Sequence, residues 1–161
     1  MPKTIRPFFN EHRAASEADI WKLQGLLQVV LPEDYSEFLL KYNGGYPDPC
    51  GFRDGKEAVD HFFGFCQRDG CLWCTFFMTR DSLPDTVLPI GVDGFGNLLC
   101  LGIAKENRGK IYFWDHETSE SVDGGPIAES FSAFIDSLRA VPPLPPAALD
   151  TSDDSSGNDT G

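Results

Sequence analysis

The chain has 161 residues, 41% of them apolar and 13 of them phenylalanine, which suits one domain able to bury roughly 65–70% of its unfolded surface. It carries 25 acidic against 13 basic residues, a formal charge of −12; residues 1–149, without the acidic terminus that holds Asp150, Asp153, Asp154 and Asp159, keep 21 acids against the same 13 bases, or −8. Such a surface repels nucleic acid and anionic membranes and favours basic partners.

The first residues, MPKTIRPFFNEHR, contain no continuous apolar run of the kind a secretion signal needs, and no stretch reaches the ~18 apolar residues that span a bilayer. Five cysteines (Cys50, Cys66, Cys71, Cys74, Cys100) are an odd number, so reduced thiols in a cytoplasmic protein are the simplest expectation. Residues 1–15 read as an N-terminal extension and 16–140 as the folded body. Residues 141–161 read as a Pro-rich linker and an acidic tail with nothing to bury.

Ser16 followed by Asp19 is a capping-box variant, and Ile20, Leu23, Leu27 and Val30 recur at helical steps after it. A second helix follows in LPEDYSEFLLKYNGG. Pro32 suits its first turn, Glu33 and Asp34 complement its positive end, and Lys41 complements its negative end. Tyr35, Phe38, Leu39 and Tyr42 form its buried stripe, and Asn43-Gly44-Gly45 stops it, because glycine enters the left-handed conformation without steric penalty. Phe62, Phe63 and Phe65 suggest a strand over 61–66. CLWCTFFMTRDSLP is ambiguous between strand and short helix and is closed by Pro84. Three strands follow at Val87–Val92, Asn97–Ile103 and Lys110–Asp115, joined by Gly/Asn-rich connectors. Ile127, Phe131, Phe134, Ile135 and Leu138 then mark a closing helix, with Pro126 just before it. The expected architecture is α+β: two N-terminal helices, an antiparallel meander and a C-terminal helix.

The glycine-rich stretch GVDGFGNLLCLG (91–102) raises the question of a ligand loop. A calcium loop starting at Asp93 would need oxygen ligands where Phe95 and Ala104 stand, and a phosphate loop would need to open a helix beside a lysine. Here the glycines lead into NLLCLGI, a strand pattern, which makes the stretch a hairpin turn. Cys71-x-x-Cys74 with Cys66 or His61 offers a thiolate and imidazole set that zinc accepts, and a redox pair would have to follow a strand and open a helix. The intervening Leu-Trp and the following Thr-Phe-Phe-Met favour ordinary burial, so neither metal nor cofactor is expected. Asp115, His116 and Glu117 stand in a row at a strand end without an accompanying motif. No Gly-x-Ser-x-Gly, Walker or HExxH pattern occurs. No catalytic constellation is assembled, and the expectation is a protein without enzymatic activity.

Leu31-Pro32-Glu33-Asp34-Tyr35-x-x-Phe38-Leu39-x-x-Tyr42-Asn43-Gly44-Gly45 resembles the signature of the SUKH superfamily, which groups fungal cell-wall-synthesis regulators of the Smi/Knr type with bacterial toxin-immunity proteins. LPIGVDGFGNLLCLG, GKIYFWDHE and IAESFSAFIDSL continue the resemblance in order and spacing over about residues 16–140, whereas segment 66–78 departs from it. The resemblance implies an α+β domain that acts by binding. In its bacterial branch this means a cytoplasmic antidote to a nuclease or deaminase toxin, and in its fungal branch a scaffold or regulatory module. Acidic charge near the strand loops suits a basic toxin, with Asp93, Asp115, Glu117, Glu120 and Asp123 as candidate contacts and Trp114 as a candidate aromatic anchor.

Overall fold

The computed structural model describes residues 4–6, 15–53, 55–65, 71–118 and 125–141. These form, in chain order, β1 (Thr4–Arg6), α1 (Glu17–Leu27), α2 (Glu33–Tyr42), β2 (Tyr46–Asp48), β3 (Gly51–Phe52), β4 (Glu57–Phe62), α3 (Leu72–Thr79), β5 (Val87–Asp93), β6 (Leu98–Gly102), β7 (Ile111–Trp114) and α4 (Phe131–Ser137). Strands β3 to β7 make one antiparallel sheet in sequence order, while β1 and β2 pair in a separate two-stranded ribbon. The α+β meander expected from the sequence is therefore present. The N-terminal extension contributes a strand to the ribbon, and the tail from residue 142 onward lies outside the described residues.

The helices begin and end where local chemistry requires. Ser16 caps α1 as expected: its hydroxyl accepts from the Asp19 N–H at 3.2 Å and the Asp19 carboxylate accepts from the Ser16 N–H at 2.9 Å. The helix stops at Leu27 because Gln28 turns left-handed at φ 57°, which leaves Val30 outside the periodic stripe and 67% exposed. Pro32 precedes α2 as its N-cap, with its carbonyl accepting from Ser36 N–H at 3.0 Å. The expected stripe holds: Tyr35, Phe38 and Leu39 are buried and Tyr42 packs partly against the core.

The ambiguous segment resolves as the helix α3. The expected strand at 61–66 begins earlier, at Glu57, and ends at Phe62. The closing helix starts later than its apolar spacing suggests. Ile127 and Ala128 are drawn into backbone pairing with Ile111 (Ile127 N–H to Ile111 O 2.7 Å, Ile111 N–H to Ala128 O 2.9 Å). The Ser130 hydroxyl then caps α4 by accepting from Ala133 N–H at 3.0 Å.

The core is a phenylalanine cluster between α2, α4 and the first strands of the sheet. Phe62 on β4 meets Phe38 at 5.3 Å and Phe131 at 5.5 Å between ring centroids, both edge to face, and Phe52 on β3 meets Phe134 at 5.6 Å. Edge-to-face pairs add about 0.5–1.5 kcal/mol each beyond the area they bury. Every residue of β6 and β7 is buried. One loop clasps the helical layer directly: Arg108, between β6 and β7, donates to the Val30 and Leu31 carbonyls at 3.1 and 3.0 Å.

Candidate interaction surface

The β5–β6 hairpin is organised by one carboxylate. Asp93 closes β5 with only 4% of its surface exposed, and its Oδ1 accepts from the N–H groups of Phe95 at 2.8 Å and Asn97 at 2.9 Å. Its Oδ2 accepts from Asn97 Nδ2 at 3.0 Å. Gly96 supplies the left-handed residue, φ +90°, that a three-residue hairpin loop requires. Asn97 then passes the order to the next strand end, its Oδ1 accepting from the His116 N–H at 3.2 Å and lying 2.8 Å from His116 Nδ1. Asp115 folds its own turn, accepting from the Glu117 N–H at 2.9 Å and, more weakly, from Thr118 at 3.4 Å.

These contacts correct the placement of two expected contact residues. Asp93 does not stand on an exposed rim: it is buried at the turn it closes, where three donors of Phe95 and Asn97 converge on its carboxylate. Trp114 is 8% exposed and pairs with Leu98 across β6–β7, so it belongs to the core. Of the other residues, Asp115 is half-buried and Glu117 exposed, while Glu120 and Asp123 lie outside the described residues. The sequence reading missed Phe95, which stands 79% exposed at the hairpin tip beside the His116 turn. Its signal was present: an aromatic residue between two glycines in a turn has nothing to bury it.

The cysteine segment divides. Cys71 is buried at the start of α3, whose first amide, that of Leu72, donates to the Gly64 carbonyl at 2.8 Å; Cys74 is exposed one turn on, and Cys66 lies outside the described residues. The CxxC pair does open a helix, but the thiol nearer the helix start is the sequestered one. His61 lies on β4 with its Nδ1 2.5 Å from the Asp60 carboxylate, edge-on to Tyr46 and Phe63. Among the described residues no three His, Cys, Asp or Glu side chains gather as a metal set. Burial pushes the Cys100 thiol well above its ordinary range, which keeps it protonated and unreactive.

Exposed apolar side chains lie on α1, at Trp21 and Leu26, and on α3. Only Leu72 of the eight residues of α3 is buried, while Phe77 and Met78 are 49% and 83% exposed and Trp73 stacks on Phe77 at 6.5 Å. Two grooves flank the helices. One of about 260 Å³ is lined by Leu26, Phe76, Arg80 and Val87 among others, and one of about 240 Å³ runs between α2 and α4. Among the described residues no helix is long and apolar enough to cross a membrane.

The class these features define is a small α+β domain with an antiparallel meander, its notable chemistry lying on convex turns and shallow grooves. Residues 14–137 match the SMI1 / KNR4 family (SUKH-1), and the chain belongs to that family. It is also 32% identical over 134 residues to the SPbeta prophage-derived uncharacterized protein YokK of Bacillus subtilis (strain 168), a match covering 70% of this chain and 68% of that protein.

Proposed function

We propose that this protein is an immunity protein: a non-enzymatic, cytoplasmic antidote that neutralises a basic bacterial toxin, of nuclease or deaminase type, by forming a complex with it. The observation that carries the reading is the hairpin end of the sheet. A turn held by Asp93 presents Phe95 to solvent, beside a turn bearing Asp115 and Glu117. An exposed aromatic on a rigid support is an inexpensive anchor, because little conformational freedom remains to be lost on binding. Carboxylates around it steer a basic partner inward, with on-rate gains of about 10–10³ at low salt. Glu120 and Asp123 extend the acidic run in the sequence and complete the proposed contact set. Family membership and the prophage origin of a relative support the reading.

The test is co-expression with the products of neighbouring genes. One of them arrests growth alone and is tolerated when this protein is present. If none is toxic and rescued, the antidote reading falls. A neighbouring product that binds without being toxic would instead favour the scaffold or regulatory role that the Smi/Knr branch of the resemblance implies.

A further inference from the structure

The groove between α2 and α4 has a chemistry of its own. Its floor is Phe38, Tyr42, Phe131 and Ile135, and its rim carries Asp34, Glu37 and Asp136 against the single cation Lys41. The two walls are stitched together. Asp34 Oδ2 accepts from both the N–H and the hydroxyl of Ser132, each at 2.9 Å, and so ties the first turn of α2 to the first turn of α4. That bond occupies Asp34. Glu37 and Asp136, both exposed, enter no ion pair among the described residues. Lys41 lies with Nζ 5.1 Å from the Tyr42 ring centre, so the aromatic wall already takes a cation at its edge.

We infer that this groove seats an arginine side chain presented by a basic protein partner. The inference rests on the proposed reading that the partner is a basic protein, and it names a second contact on it, away from the hairpin. Charge complementarity selects the occupant: three carboxylates against one ammonium leave the rim negative. An aromatic floor below carboxylates suits a guanidinium, which stacks on rings while its edge donates to carboxylate oxygens. Lysine, a compact and strongly hydrated charge, uses the floor less well. A groove of about 240 Å³ has room for one extended side chain.

The experiment titrates the intact, isotope-labelled protein with N-acetyl-arginine N-methylamide, followed by amide NMR shifts, with the uncharged citrulline analogue as control. The expected result is saturable shifts confined to the amides of 37–42 and 132–136, with affinity of about millimolar. Binding is about fivefold weaker in the Glu37→Gln/Asp136→Asn double variant, whose melting temperature is unchanged because both side chains are exposed. Shifts scattered over the acidic surface, equal shifts with the citrulline analogue, or an unaltered affinity in the double variant would each overturn the assignment. Growth rescue reports separately on the antidote reading. Rescue without arginine binding removes the groove's role alone, and arginine binding without any toxin to rescue removes the antidote role alone.

Discussion

Asn43 and Phe65, 22 residues apart in sequence, are joined by two hydrogen bonds: Asn43 Nδ2 donates to the Phe65 carbonyl at 3.0 Å, and the Phe65 N–H donates to Asn43 Oδ1 at 2.7 Å. Asn43 sits at the left-handed end of α2, φ 52°, where asparagine is tolerated, and its side chain acts as one more strand residue for the chain leaving β4. Gly64 makes this approach feasible, since a Cβ there would stand 1.9 Å from the Asn43 carbonyl oxygen. Asn43→Ala removes both hydrogen bonds to the Phe65 backbone and should cost about 3 kcal/mol in urea unfolding with an unchanged m-value. A loss below about 0.5 kcal/mol would mean that the pair does not hold β4 to α2.

The same residue marks what was legible in the sequence. Asn43-Gly44-Gly45 reads correctly as a helix stop, because left-handed termination is a local property. Its second task depends on a partner 22 residues away and leaves no periodic trace. Helix α2 and strands β5, β6 and β7 were legible for the same local reason, their stripes and runs being unbroken. The start of α4 was not, since Ile127 and Ala128 have helical spacing yet pair with Ile111. Strands β1, β2 and β3, two or three residues long, are too short for alternation to register. At the candidate site, Asp93 reads from the sequence as surface because aspartate in a turn usually is. Its burial follows from three donors whose positions only the folded hairpin fixes.

Asp93→Ala tests that reading of the hairpin. Removing the carboxylate leaves the Phe95 and Asn97 amides without their acceptor and should destabilise the domain by about 2 kcal/mol. Hydrogen exchange should quicken first at 94–97. A purely surface aspartate would change stability by less than about 0.5 kcal/mol.

Tyr35 is fully buried against Phe131 at 5.2 Å, and its hydroxyl has no hydrogen-bond partner among the described residues. Burying an unsatisfied hydroxyl is unfavourable, so Tyr35→Phe should raise stability by about 1 kcal/mol. A loss of more than about 1 kcal/mol in thermal or urea unfolding would indicate that the hydroxyl is bonded in solution.

Alkaline pH should weaken the fold in two stages. Burial raises Cys100 above its ordinary 9.0 and Tyr35 above its ordinary 10.0. Raised groups stay protonated in the folded chain while the unfolded chain releases their protons. The stability they contribute is thus complete below the unfolded values and is lost as pH rises beyond them. Unfolding free energy should fall by up to about 1.4 kcal/mol per pH unit above pH 9 from Cys100, and more steeply above pH 10 as Tyr35 joins. Cys100→Ala should flatten the segment between pH 9 and 10; an unchanged slope there would assign it to other groups.

The claim that this protein acts by complex formation is met most directly by stopped-flow association with the purified product of the neighbouring toxic gene. The expected result is a defined complex whose on-rate falls about tenfold or more between low and physiological salt. In the same experiment Phe95→Ala should speed dissociation by about tenfold or more without altering the melting temperature. Toxin inactivated with no complex formed would contradict the account, as would a complex indifferent to both salt and the loss of Phe95.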